Sequence, residues 1–330
     1  MSDGPLVGVV VPAQNRGDLL RECLESIQAQ TYKRFECIVA DDASEDDVPE
    51  VAQSFAARDP RFRHLRLERG GAQRARNAGW QATAAEFLVF QDSDDLFAPR
   101  KLEASVEAFA VHPEADMVVG QTAVFEAEPG DLGFLWNAFE PADHLRRFLR
   151  RDVVWPCQGA VWRRSFLDKV GPWREALTSN QDFDQNLRGL LAGASVHLLD
   201  EVLVHVRLAG PSVSRGESPE RKRQRLRDME AVYAYAQGAL TLDGRLRDYR
   251  REVASQAMFL ARESAALGDR SAMQTVARLH SLDAFRASVA AVEVGLILRT
   301  GRFAQTFGRL NQRLGLELPQ VQWMRTHRVP

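Results

Sequence analysis

The sequence predicts an α/β fold, with a Rossmann-like, mostly parallel central sheet flanked by helices over residues 1–214 and an all-helical region over 215–330. Three observations carry this prediction. Short β-branched runs alternate with segments of helical period as far as Phe90. Acidic clusters close two of those runs, where a parallel sheet gathers its ligands. From Ser218 onward the strand-like runs give way to helical pattern punctuated by Gly.

In chain order, LVGVVVP (6–12) is a strand buried on both faces, and Leu19, Leu20, Cys23, Leu24 and Ile27 mark the helix after it. FECIVA (35–40) is a second strand ending in Asp41-Asp42, 62–67 a third, and 87–90 a fourth ending in Asp92-Ser93-Asp94-Asp95. Further strands are expected near 116–125 and 196–207, with helices near Ala98, at 142–151 and at 181–192. Beyond a loop at 209–217, Ser218-Pro219 is an N-cap followed by Pro at the first helical position. Asp243, Asp269 and Asp283 are expected helix starts, and Gly268, Gly301 and Gly315 expected stops.

Composition narrows the function. At 330 residues, with 45% hydrophobic and 27% charged, the chain is an ordinary globular one, and neither a peptide nor a disordered tail. No apolar stretch reaches the length of a membrane span, since Val289 to Leu298 contains Glu293. MSDGP lacks a basic leader and cleavage site, so the expectation is a cytoplasmic protein, with peripheral contact at the inner face of the membrane left open. Cys23, Cys37 and Cys157 lack metal-ligand or disulfide spacing. Net charge is -2, yet residues 1–214 hold 33 acidic against 23 basic side chains (-10) and 215–330 hold 12 against 20 (+8).

Three carboxylates within Asp92-Ser93-Asp94-Asp95 repel one another unless a cation sits among them, and such hard oxygens suit Mg²⁺ or Mn²⁺. A solvated turn capping the next helix is the plainer alternative. Asp42, at a neighbouring strand end, can accept from a base imide or a ribose hydroxyl, or cap a helix. Gly70-Gly71 leads into a helix with Arg74 and Arg76, a loop-to-helix start suited to phosphate oxygens. Neither GxGxxG nor GxxxxGK[ST] is present, which weighs against dehydrogenases and P-loop enzymes. Asp182 and Asp184 differ by two helical steps, so only one is expected to face a crevice.

VVVPAQNRGDLLRECLESIQAQTYKRFECIVADDASEDD, GGAQRARNAGWQATAAEFLVFQDSDDLFAPRKL and GAVWRRSFLDKVGPWREALTSNQDFDQNLRGLLAG closely resemble the successive signatures of family-two nucleotide-sugar glycosyltransferases with the GT-A fold, over residues 5–208. The resemblance implies Asp182 as catalytic base. It implies Asp92-Ser93-Asp94 as the DxD motif, with Asp94 or Asp95 on a divalent metal, Mn²⁺ or Mg²⁺. A nucleotide-sugar pocket would draw on Pro12, Ala13, Asn15, Asp42, Arg74, Arg76, Asp92, Ser93 and Arg207. Two departures stand out: Gln14 occupies the place of the family's usual Tyr, and Ala209 a place where members often hold His.

A diphosphate leaving group calls for cationic stabilisation, and the incoming hydroxyl for one positioned base, which together give inversion. Trp155 and Gln158 are the candidate acceptor wall, with Trp162 and Trp173 as substitutes or core residues. The expected reaction is transfer from a UDP-sugar to a saccharide or polyprenyl-linked acceptor in bacterial surface-polysaccharide assembly. A sugar-1-phosphate nucleotidyltransferase and a catalytically silent nucleotide-sugar-binding scaffold are the alternatives; the Gly-rich loop of the former is missing from VVVPAQNRGD. The +8 tail, with Arg221, Lys222, Arg223, Arg225 and Arg227 on one helix, suits anionic headgroups or a polyprenyl diphosphate, or else packs against the catalytic region or a second subunit. Nucleic acid is not expected, because no aromatic residues interleave with the basic ones.

Overall fold

The computed structural model describes residues 4–208, 218–300, 304–314 and 327–328. Strand β1 (Val7–Ala13), helix α1 (Gly17–Gln28), β2 (Phe35–Asp42), α2 (Val48–Arg58), β3 (Phe62–Leu67), α3 (Ala72–Gln81) and β4 (Phe87–Phe90) form the expected alternation. β2 and β4 flank β1 in parallel, and β3 pairs parallel with the outer edge of β2. The carboxyl ends of β1, β2 and β4 therefore open side by side, with the two acidic clusters on the same edge of the sheet, one on each side of β1.

The second half of the sheet is built differently. β5 (Leu96–Phe97), α4 (Lys101–Val111), β6 (Met117–Phe125), β7 (Phe134–Leu135), α5 (His144–Leu149), a 3-10 turn (Cys157–Gly159), β8 (Ala160–Arg163), α6 (Arg164–Val170), α7 (Gln181–Leu191) and β9 (Val196–Arg207) follow in order. β8 runs antiparallel between β4 and β6, so the sheet is mixed. Nothing in the sequence pattern marks β8: four residues between a 3-10 turn and a helix are too few to show a period. β9 pairs parallel with β6, bulges between Leu199 and Val204 opposite Gly120 to Thr122, and pairs antiparallel with β5 near its end.

The pleat of β1 divides the core. Val7, Val9, Val11 and Ala13 pack with α1 and α2, whereas Val10 points to the opposite face among Trp80, Phe90 and Trp173. α3 lies so close to that face that a Cβ on Gly79 would stand 2.4 Å from Val10 Cγ1, which only Gly avoids.

The C-terminal helices are α8 (Pro219–Leu242), α9 (Leu246–Ala266), α10 (Ala272–Leu282), α11 (Ala284–Thr300) and α12 (Ala304–Arg313), and β10 (His327–Arg328) pairs with β7. Ser218 caps α8 as expected, and Asp283 caps α11 by accepting from the Arg286 amide. Asp243 instead follows the last turn of α8, and its carboxylate accepts from Arg245 N ahead of α9. Gly268 ends α9 with positive φ, while Gly301, Gly315 and the loop 209–217 lie outside the described residues. One apolar cluster runs without a break from Val10 and Phe90 through Trp155 and Phe183 to Tyr233, Leu260 and Ile297, so the two regions share a core. No described helix is long and apolar enough to cross a membrane.

Candidate active site

The cleft is organised around a buried cation. Arg76 leaves α3 beneath the end of β4, places Nη2 2.6 Å from Asp92 Oδ1 and 3.7 Å from Asp182 Oδ1, and stacks its guanidinium 4.6 Å from the Trp173 ring centroid. Asp92 and Asp182, 90 positions apart in the chain, thus share one Arg. Asp182 is the second residue of α7, entered through Asn180 at φ 58. Its side chain is 36% exposed at the cleft floor, and burial pushes its pKa up to about 6 against the opposing pull of Arg76. Asp184 turns away, buried between Arg174 and Arg188, so only Asp182 of the pair faces the cleft.

What holds Asp182 in place comes from the helical region. Asp228 on α8 is buried, and its Oδ2 accepts from the amides of Thr178 and Ser179 at 2.9 and 2.8 Å and from their hydroxyls at 2.8 and 2.9 Å. This clamp fixes the turn immediately before α7. Asp228→Ala takes a buried, charged acceptor from four donors at this partly exposed turn and should cost about 2 kcal/mol in urea denaturation. The same variant should lower kcat more than it alters KM, because the base is misplaced rather than the donor.

The remaining acidic residues divide by role. Asp94 is partly exposed and ion-paired with Arg16, and burial and the neighbouring Asp92 push its pKa up. Asp95 is buried with both oxygens engaged, Oδ1 accepting from Arg207 N at 2.8 Å and Oδ2 from Gln158 Nε2. Asp95 therefore joins β9 to the 3-10 turn, and the more exposed Asp94 is the better placed of the two to turn toward a metal. Gln158 is likewise a partner of Asp95 and not an acceptor contact. Trp155, expected to wall the acceptor, is 0% exposed, donating to Asn186 Oδ1 at 3.1 Å and packing on Phe148, so it belongs to the core. Its indole serves burial because α5 and α7 close over it. Trp162 is also core, and Trp173 serves Arg76.

Two groups carry no sequence signal. Cys157 Sγ lies with the Asp92 and Asp182 carboxylates in a cluster whose ligating atoms are all within 4.8 Å of one another. Burial and these carboxylates push its thiol well up, so it stays protonated and hydrogen-bonds Asp182. Lys101 is buried with Nζ donating to Gly159 O at 2.6 Å, and burial pushes it down to about 7.

At the other end of the cleft Asp42 is buried, accepting from Gly70 N at 2.6 Å, Gly71 N at 2.9 Å and Gln14 Nε2 at 3.2 Å. The glycine amides expected to meet phosphate thus meet Asp42, and Gly71, at φ 88, makes that approach possible. Gln14 supplies a donor where the resembled family has a ring. Asp41 faces the opposite way, to Arg66 and His64. Asn15, at φ 51, braces the 44–45 turn by accepting from Glu45 N, and Pro12 and Ala13 are buried strand residues paired with Ala40 and Asp41. Ser93 is buried; Arg74 lies at the surface near Glu68. Arg207 caps the site, with Nε on Asp94 O at 3.1 Å and its guanidinium over Phe125.

The donor set fits a hard divalent cation. Asp92 and Asp94 offer carboxylate oxygens, and burial first, then the neighbouring carboxylates, raises the pKa of Asp94 and Asp95. Asp94 with Asp92 would hold such an ion, and the protonated Cys157 thiol would not.

Comparison with known proteins agrees with this architecture. The model of glycosyl transferase family 2 matches residues 8–171. Glycosyltransferase GlyG of Streptococcus pneumoniae is 35% identical over 39% of this chain and 43% of its own length, and putative glycosyltransferase EpsH of Bacillus subtilis is 28% identical over 76% and 73%. The chain spans 43%, 22%, 73% and 34% of the lengths of the first four relatives. O-antigen biosynthesis protein RfbC of Myxococcus xanthus is 30% identical over 66% of this chain and 17% of its own length. Among solved structures, S. aureus TarS 1-349 in complex with UDP-GlcNAc superposes with TM-score 0.67 at 18% identity over 92% of this chain and 91% of that fragment. The mannosyltransferase PcManGT from Pyrobaculum calidifontis in complex with GDP-Man and Mn2+ does so with TM-score 0.53 at 18% identity over 97% and 83%. The fold is GT-A, and through residues 8–171 the chain belongs to glycosyl transferase family 2.

Proposed function

We propose that this chain is an inverting, divalent-metal-dependent glycosyltransferase that moves a sugar from a nucleotide-diphosphate donor, a UDP-sugar by preference, to a hydroxyl of a saccharide or lipid-linked acceptor in surface-polysaccharide assembly. The observation that carries it is Asp182: one cleft-facing carboxylate, held by Arg76 and Asp228, with a pKa near 6. At neutral pH it is ionised yet still basic enough to take a proton from an attacking hydroxyl. Asp184 is locked by Arg174 and Arg188, and Asp92 and Asp94 are the pair that would hold the metal, so among the described residues Asp182 is the carboxylate left to act as base, unlike the carboxylate pair of retaining glycosidases. One base on one face gives inversion.

When bound, a divalent ion on Asp94 and Asp92 would neutralise charge developing on the departing diphosphate. Arg76 keeps Asp182 ionised and oriented, and Arg207, seated on Asp94 and Asp95, holds the mouth of the cleft. TarS and PcManGT, which share the fold, were solved with UDP-GlcNAc and GDP-Man, and RfbC is named for O-antigen biosynthesis; these support the donor class and the setting. With Gln14 beside Asp42, the base edge meets an amide.

A melting screen against UDP-, GDP- and dTDP-sugars with Mn²⁺ tests the reading. A ligand at about 100 times its dissociation constant adds about 2.7 kcal/mol, which raises Tm by several degrees. Asp94→Ala should abolish the Mn²⁺-dependent part of that rise. No shift with any donor would sink the proposal.

A further inference from the structure

Helices α11 and α12 turn an apolar, carboxylate-free face to solvent. On α11, Phe285, Val292 and Leu296 are 67%, 72% and 38% exposed at intervals of seven and four residues, which puts them on one face, while Ala290, Val294 and Ile297 enter the core from the other. On α12, Leu310 and Leu314 at its end are 47% and 63% exposed, and Asn311 turns inward to donate to buried Glu293 at 3.0 Å. Residues 284–314 contain five Arg and a single acidic residue, that same Glu293. Arg299 follows Leu296 by three residues on α11, Arg309 and Arg313 flank Leu310 on α12, all three are exposed, and the described surface of these helices shows no carboxylate. An ordinary solvated helix interleaves both signs on its outer face; this one does not.

We propose that the α11–α12 face docks on an anionic lipid bilayer, with the three apolar residues of α11 entering the headgroup boundary and the Arg residues meeting lipid phosphates. Charge complementarity favours this occupant over a second copy, since an isologous pair would set Arg against Arg with no carboxylate between them. It also moves the contact away from the basic cluster on α8, where Lys222 pairs with Glu263, Arg223 bonds Leu267 O and Arg227 pairs with Asp269. The proposal is independent of glycosyl transfer.

Flotation of the full chain with vesicles of phosphatidylcholine, with and without one third phosphatidylglycerol, at physiological salt tests it. Partition should favour the anionic vesicles about tenfold or more and weaken as salt rises. Phe285→Ser/Val292→Ser/Leu296→Ser should reduce it about tenfold or more with Tm unchanged. Arg299→Glu/Arg309→Glu/Arg313→Glu should reduce it by at least about a hundredfold, at roughly fivefold per charge removed. Three results overturn the proposal: equal or absent binding to both vesicle types; a marked fall in Tm for the triple Ser variant, which would mean that the chain itself covers this face; or a dimer in sedimentation that the triple Ser variant converts to monomer without changing vesicle partition.

Discussion

Replacing Asp182 by Asn is expected to lower kcat by about 10²- to 10⁴-fold while the protein still binds donor and melts no lower than wild type. The amide keeps the shape of the carboxylate and its neighbours Arg76 and Cys157, but it cannot accept the acceptor's proton. Stability should not suffer, because burial raises the Asp182 pKa and so disfavours the folded, ionised form above pH 6. Steady-state transfer, or donor hydrolysis where no acceptor is at hand, measures the rate, and the donor-induced melting shift measures binding. A kcat within threefold of wild type would remove Asp182 from the chemistry.

Arg76→Gln should have the largest effect on stability, about 3–5 kcal/mol, since it takes the cation from a buried group of carboxylates and leaves their charge uncompensated. The sign of its pH dependence follows from the same contacts. The Arg76 charge lowers the Asp182 pKa, so without it the folded-state value climbs further above the unfolded one. The variant then binds more protons folded than unfolded, and loses stability relative to wild type as pH rises. The acid limb of kcat/KM, expected near pH 6 in wild type, should move up by about one pH unit or more, leaving activity low at pH 7 and partly recovered above it. Denaturation at two pH values and one pH–rate profile suffice. An unmoved limb would show that Arg76 does not set the ionisation of Asp182.

The strands that position this chemistry were legible because β1, β2 and β4 are apolar runs ending in acidic residues, and a parallel sheet must bring such ends together. Asp182 and Arg76 were legible as members of motifs. What could not be read was orientation. Asp41 and Asp42 are neighbours, and only the pleat sends one toward Arg66 and the other toward the glycine amides. Asp94 and Asp95 are equally acidic, yet the bulged path of β9 brings the Arg207 amide onto Asp95 and spends it on structure. Trp155 has the chemistry of a sugar platform, and its burial under α5 and α7 is a tertiary fact. Asp228 lies about fifty residues beyond the turn it clamps, a separation at which no local pattern survives.

The core that runs from the sheet into the helices also governs how this chain comes into being. Tyr233 packs on Phe183 and donates to Leu149 O at 2.9 Å, and Asp228 clamps the entrance to α7. Synthesis proceeds from the N-terminus, so every strand of the catalytic sheet but β10 is made before α8 and α9, which pack on α7 and α5. Until α8 and α9 emerge, α5 and α7 carry an uncovered apolar face and the base has no clamp. A stop codon near residue 214 would therefore yield a chaperone client rather than a smaller enzyme, and a ribosomal pause before α8 would prolong the interval in which the chain is open to aggregation.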